Sequence, residues 1–185
     1  MLAKLRQLLE MIRFSHTLFA LPFALAAMVL AARDRHGWPG WRTFLLIVAA
    51  MVCARTAAMG FNRIADRKFD ALNPRTAGRH LPTGQLSVTG AWCLVFGAAV
   101  GLVVASCFIN AICFYLSPVA LIVVCFYSLT KRFTNFSHVF LGIALALAPL
   151  GTWLAVTGGF AWPPVVLAVA VVFWLVGFDI IYATQ

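Results

Sequence analysis

Short polar connections divide the chain into six apolar stretches, at about Phe14–Ala32, Thr43–Phe61, Val88–Phe108, Ala111–Leu129, Val139–Val156 and Pro164–Ala183. Each is close to the ~20 residues an α-helix needs to cross the hydrocarbon of a bilayer. Inside lipid no water is available to the backbone N–H and C=O groups, so a spanning stretch must close its hydrogen bonds within itself, as a helix. Composition excludes the soluble alternative. Hydrophobic residues are 63% of the chain and charged ones 10%, against about 25% charged in an ordinary soluble domain, and so little polar sequence cannot cover a globule. The chain is expected to be all-α, a polytopic transmembrane helical bundle forming a single domain over residues 1–185. The connection at Ile109 is short enough to make a tight hairpin of the third and fourth spans. Gly158, Gly159, Pro163 and Pro164 mark the turn before the sixth.

The basic residues are distributed by side. Lys4, Arg6, Arg13, Arg63, Arg67, Lys68, Arg75, Arg79, Lys131 and Arg132 fall on one face of the membrane, and only Arg33, Arg35 and Arg42 on the other. The positive-inside bias therefore puts the N-terminus, and the polar segment after the second span, in the cytoplasm. A net charge of +9 is accounted for by topology and anionic substrates; the cations form no basic domain, and nucleic acid is not an expected partner. Leu2, Leu5, Leu9 and Ile12 share one helical face opposite Lys4, Arg6 and Glu10, which predicts a surface-lying helix leading into a retained first span and not a cleaved leader. Cys53, Cys93, Cys107, Cys113 and Cys125 lie in or beside apolar runs without a CxxC pair, a pattern that speaks against a disulfide or metal role.

The chemistry concentrates where the second span leaves the bilayer, in FNRIADRKFDALNPRT. Asn62, Asp66 and Asp70 are spaced four apart and so form one stripe of a helix, which Arg55 continues into the membrane two turns behind Asn62. Carboxylate and amide oxygens at this spacing suit Mg²⁺, a hard cation that shares its coordination between protein oxygens and substrate phosphates. Arg63, Arg67, Lys68, Arg75 and Arg79 are placed to grip phosphate oxygens. The competing explanation is a solvated helix end on which the aspartates merely pair with neighbouring cations. Against it, Arg55 is costly inside a membrane without a task, and the chain holds only three other acids, Glu10, Asp34 and Asp179. Asp179 falls at the cytoplasmic end of the sixth span, level with Asp66 and Asp70. Lys131 and Arg132, in YSLTKRFT, read alone as positive-inside anchors; beside the aspartates they are candidates for a diphosphate or an acceptor carboxylate. His16, Tyr127, His138 and Tyr182 read more simply as packing or interfacial residues.

These segments resemble the UbiA-type intramembrane aromatic prenyltransferases. The first family motif, NxxxDxxxD, stands as Asn62, Asp66 and Asp70, and NPRTAGRHLPTG resembles the RT…RxxPxG loop that follows it. YSLTKRFT and DIIYA, from Asp179 to Ala183, are also similar to family segments. FSHTLFALPFAL and LALAPLGTWLAVTGG are most similar to quinone-pathway members of the 4-hydroxybenzoate polyprenyltransferase type. The resemblance implies a bundle of about nine spans in the inner membrane, with a central cavity open to the cytoplasm and to lipid. It implies Mg²⁺-dependent transfer of a polyprenyl chain from polyprenyl diphosphate to a small aromatic acceptor, 4-hydroxybenzoate foremost. By the same resemblance Asn62, Asp66 and Asp70 hold Mg²⁺ and diphosphate, Asp179 belongs to a second metal–diphosphate site, Arg67 and Lys131 neutralise phosphate, and Arg132 faces the acceptor carboxylate.

The family pattern runs on past DIIYATQ to further aspartates and about three more spans, so the chain is expected to be a C-terminally truncated form with little transferase activity by itself. A dihydroxynaphthoate-type acceptor of a menaquinone route is the alternative substrate, and haem- or chlorophyll-directed prenyl transfer a more distant one. A small ion transporter using Asp66, Asp70 and Asp179 is the non-enzymatic alternative, and an inactive remnant a third. The transporter fits less well, because its acids would have to thread the bilayer instead of gathering at one face.

Overall fold

The structure, a computed structural model, describes residues 20–134 and 136–183. The N-terminal amphipathic helix, His16 and the start of the first span lie outside the described residues, as do the side chains of Asp179 and Tyr182. Among the described residues six α-helices follow one another: α1 (Leu21–Ala31), α2 (Trp41–Leu72), α3 (Val88–Ile109), α4 (Ala111–Thr130), α5 (Ser137–Thr157) and α6 (Trp162–Ala183), with a 3₁₀ turn at Arg33–Arg35. No strand occurs among the described residues. The helices α2, α3, α4 and α5 are each long and apolar enough to cross a membrane; α1 and Trp162–Phe178 of α6 are apolar over shorter lengths. The expected all-helical membrane bundle is therefore present.

One expected boundary moves. The second apolar stretch ends at Phe61, yet α2 runs 32 residues to Leu72. Hydropathy reports where lipid ends, and good helix formers such as Arg67 and Lys68, both exposed, continue the helix beyond it without difficulty. The whole Arg55–Asp70 stripe thus stands on one uninterrupted helix.

Helix α2 packs on α3 and α4, α4 on α5, and α5 on α6 and α1. Lipid tails are as apolar as leucine, so helices in a membrane are held by close packing, which small residues permit. At the α2–α3 contact a methyl group added at Gly60 would lie 2.7 Å from Val95 Cγ2, and one at Gly101 would lie 2.8 Å from Cys53 Sγ. Phe23 of α1 stacks near Trp174 of α6, ring centroids 5.3 Å apart.

Two prolines lie inside spans, Pro118 of α4 and Pro149 of α5. Pro118 has no N–H to give to the carbonyl of Phe114, four residues back. The hydroxyl of Ser117 donates to that oxygen instead, at 2.8 Å, so the break in the ladder is repaired from within the helix. The α3–α4 hairpin turns on one residue, Asn110. Its Oδ1 accepts from Cys113 N at 2.8 Å, capping α4, while its Nδ2 donates to the Leu154 carbonyl of α5 at 2.9 Å. At the same end of the bundle, Arg42 Nη2 donates to the Phe108 carbonyl at 3.1 Å, joining the start of α2 to the end of α3.

Candidate functional site

The end of the bundle opposite Asn110 carries the polar stripe. Asn62, Asp66 and Asp70 occupy successive turns of α2, and Asn62 and Asp70 are buried. Asn62 Nδ2 donates to Ser128 Oγ of α4 at 3.3 Å, which fixes its amide and leaves its carbonyl oxygen as an available acceptor. Asp66 Oδ2 lies 3.6 Å from Lys131 Nζ, at the C-terminal end of α4, and Lys131 also sits 5.3 Å from the centre of the Tyr127 ring. Arg79 Nη1 donates to both carboxylate oxygens of Asp70, at 2.7 and 2.8 Å.

Arg79 reaches Asp70 because the connection between α2 and α3 is itself folded. Asn73 Oδ1 accepts from Arg75 N at 3.0 Å, an Asx turn that reverses the chain directly after α2. Thr76 Oγ1 then donates to the carbonyl of Asp70 at 3.0 Å. Leu81 and Leu86 are buried against Ala91, Met59 and Ile64, which presses the loop onto the helices. Gly84 turns the chain back with φ 75°, a left-handed value that favours glycine, and Ser87 caps α3 by accepting from Gly90 N at 3.0 Å.

Behind the stripe a cavity of about 240 Å³ opens among α2, α3, α4 and α5. Its walls are aliphatic, with Ile47, Met51, Leu102 and Leu145 among them, and the cation of Arg55 and the phenol of Tyr127 face into it. Arg55 Nε is buried and has no hydrogen-bond partner among the described residues. An unsatisfied buried donor is costly, and a guanidinium in an apolar wall is a ready receiver for an anion. Tyr127, which lines the cavity and also underlies Lys131, joins chamber and mouth.

Of the other sequence candidates, Arg63 is buried on α2, and several lie at the rim. Arg67 and Lys68 are exposed on α2. Arg132 is exposed, donates from Nη2 to the Ala65 carbonyl at 2.7 Å and stacks over Phe69 at 5.3 Å. It is not among the residues that line the cavity. Asp179 belongs to α6, which runs back toward the polar end, but its side chain lies outside the described residues. Ser128 and the pairing of Arg79 with Asp70 were not singled out by pattern. Ser128 belongs to the quoted YSLTKRFT segment, and Arg79 to the RxxPxG loop, but neither partner could be read from spacing.

The donor set suits a hard divalent cation. Among the described residues no three His, Cys, Asp or Glu side chains gather into a cage. Mg²⁺ does not need one, since it is commonly held by one or two carboxylates and completed by water and substrate phosphate. Asp66, Asp70 and the Asn62 amide oxygen fit that description.

The arrangement defines a class: a helical membrane protein in which a cation-flanked acidic stripe stands on the same helix as Arg55, a half-buried cation in the wall of an apolar chamber. Residues 20–185 match the UbiA prenyltransferase family, and the chain belongs to it. It is 38% identical over 153 residues to the 4-hydroxybenzoate octaprenyltransferase of Alcanivorax borkumensis, covering 80% of this chain and 51% of that protein. With the protein of the same name from Vibrio vulnificus it shares 29% over 177 residues, covering 96% of this chain and 61% of the relative. The chain thus spans between half and about three fifths of the length of the curated relatives it matches. Among solved structures, the apo form of a UbiA homologue from Aeropyrum pernix K1 superposes with a TM-score of 0.82 at 33% identity, over 91% of this chain and 63% of that one. A UbiA homologue from Archaeoglobus fulgidus, bound to DMAPP and Mg²⁺, shares the fold with a TM-score of 0.75 at 22% identity, over 96% and 62% of the two chains.

Proposed function

We propose that this protein serves the transfer of a polyprenyl group from polyprenyl diphosphate to a small aromatic acceptor, 4-hydroxybenzoate, at the cytoplasmic face of the inner membrane. The observation that carries this reading is the Asn62–Asp66–Asp70 stripe standing on the same helix whose Arg55 lines an apolar chamber. The names of the relatives from Alcanivorax and Vibrio support the acceptor, and the ligands of the Archaeoglobus homologue support the donor and the metal. The asymmetry of Lys and Arg supports the orientation.

In the reaction the bond between the allylic carbon and diphosphate oxygen breaks, a carbon–carbon bond to the ring forms, and a ring proton leaves. Asp66, Asp70 and Asn62 would hold Mg²⁺, with Asp179 contributing at a second position; bound there, the metal stabilises negative charge on the departing diphosphate. Lys131 and Arg79, at the mouth, add positive charge to the same oxygens, with Arg67 and Arg132 at the rim. The aliphatic walls keep water from an electron-poor allylic carbon. Arg55 receives the acceptor carboxylate, which holds the ring inside the chamber and faces it toward the mouth.

The test is binding, by the chain in nanodiscs, of a non-hydrolysable geranyl diphosphate analogue and of 4-hydroxybenzoate. Binding of the analogue is expected with Mg²⁺, and is lost with EDTA and in Asp66→Asn. Binding indifferent to both treatments, or none of the analogue under any condition, overturns the reading. Binding of a dihydroxynaphthoate but not of 4-hydroxybenzoate would overturn the acceptor and leave the diphosphate site standing.

A further inference from the structure

Asp70 and Arg79 hold each other in a way that bears on how the site is loaded. Asp70 is nearly enclosed, its side chain 10% exposed, while that of Arg79 is 33% exposed. A single guanidinium nitrogen spans both carboxylate oxygens at 2.7 and 2.8 Å, so the edge of the carboxylate best suited to a cation already has one. At the neighbouring turn Asp66 has Lys131 beside it at 3.6 Å. The acidic stripe is thereby neutralised by the same side chains that stand ready for phosphate. At these two turns the carboxylates and cations are already paired: a metal binding there must displace a cation, and a diphosphate taking up Arg79 or Lys131 must draw it away from a carboxylate.

We propose that the Asp70–Arg79 pair is an exchangeable lock that couples metal and diphosphate binding. Metal entering at Asp70 releases Arg79 toward the anion, and anion drawing on Arg79 exposes Asp70 to the metal. By linkage each ligand raises the affinity of the other by the same factor. The loop allows the exchange, because Arg79 is partly exposed whereas the backbone that carries it is fixed by Thr76 and Leu81. Arg79 is here a positioning residue in the empty site and an anion ligand in the loaded one. The proposal rests on the reading of Asn62, Asp66 and Asp70 as a metal–diphosphate site.

The two partners of a lock give opposite phenotypes. Arg79→Gln takes the competitor away from Asp70, so Mg²⁺ alone is expected to bind about tenfold more tightly, which is about 1.4 kcal/mol. The same change removes a cation and exposes a carboxylate, so inorganic pyrophosphate in EDTA is expected to bind about tenfold more weakly. Asp70→Asn reverses both signs: Mg²⁺ weakens, and pyrophosphate tightens onto the freed Arg79. Arg79→Lys, which keeps the charge but not the twin contact, lies between wild type and Arg79→Gln for both ligands. The measurement is calorimetric titration of the full chain in nanodiscs with each ligand alone. Weaker Mg²⁺ binding in both Arg79 variants overturns the lock, since Arg79 then only orients Asp70. Wild-type Mg²⁺ binding that Asp66→Asn leaves unchanged overturns the metal site itself, and the lock with it.

Discussion

Gly60 lies on the buried face of α2, against α3, two residues before Asn62. A methyl group built there falls 2.7 Å from Val95 Cγ2, roughly 1 Å inside the separation at which two carbons attract. Val95 is short and branched, with little freedom to step aside, so Gly60→Ala must strain that side chain or part the helices. Overpacking of this kind costs about 1–3 kcal/mol. Alanine returns about 1 kcal/mol of helix propensity over glycine, so the single substitution nets only about 0–2 kcal/mol of destabilisation. The coupling with Val95 is the sharper observable. Val95→Ala removes the obstructing atom and forfeits that side chain's own packing contacts. In the double variant the clash is gone, so it is expected to be more stable than the sum of the singles by about 1–3 kcal/mol. Gly97→Ala is the control, because nothing lies within 4 Å of its added carbon, and it should stabilise by up to about 1 kcal/mol. Denaturant titration of the variants in mixed micelles, followed by circular dichroism, measures all of these. A cycle that closes to within about 0.5 kcal/mol of additivity would refute the close α2–α3 approach.

Ser117→Ala strands the Phe114 carbonyl and should cost about 1 kcal/mol in the same unfolding assay; the loss should vanish in a Pro118→Ala background, where the backbone N–H returns. Arg55→Gln should raise the Kd for 4-hydroxybenzoate by about tenfold or more, the loss of one charge-assisted contact, while the Kd for a prenyl diphosphate analogue stays within about twofold; equal changes in both would place Arg55 on the diphosphate instead. A single cysteine at Arg75, in a cysteine-free background, should react with a membrane-impermeant maleimide only in inside-out vesicles, and one at Asp34 only in right-side-out vesicles. The reverse pattern would invert the topology.

Much of this architecture was legible because lipid imposes a length: among the described residues four of the six apolar stretches appear as helices long and apolar enough to cross a membrane, and the other two as shorter apolar helices. The Arg55–Asn62–Asp66–Asp70 stripe was legible for a related reason, since helical periodicity fixes which residues of one helix share a face. What the pattern hid is what depends on two segments meeting. Asn62 finds Ser128 across 66 residues, and Arg79 finds Asp70 only because Asn73 and Thr76 fold the loop between them. The chamber was equally hidden. Helices such as α3 and α6 are apolar all round, and lipid and cavity ask for the same side chains, so sequence does not say which face turns inward. Arg132 illustrates the limit: its guanidinium rests on the Ala65 carbonyl and the Phe69 ring of α2, contacts that no spacing within YSLTKRFT announces.

The two ends of the bundle are fastened by different means. At the Asn110 end, the ties run from side chains to backbone carbonyls at helix ends, Asn110 to Leu154 and Arg42 to Phe108, and a one-residue turn joins α3 to α4. At the other end the fastenings include side-chain ion pairs, Lys131 with Asp66 and Arg79 with Asp70, whose partners can be traded for a visiting cation or anion. The two ends should therefore answer differently to their surroundings: salt or a bound ion competes with the charge pairs at the polar end, whereas the carbonyl ties at the Asn110 end give a visiting ion no partner to exchange.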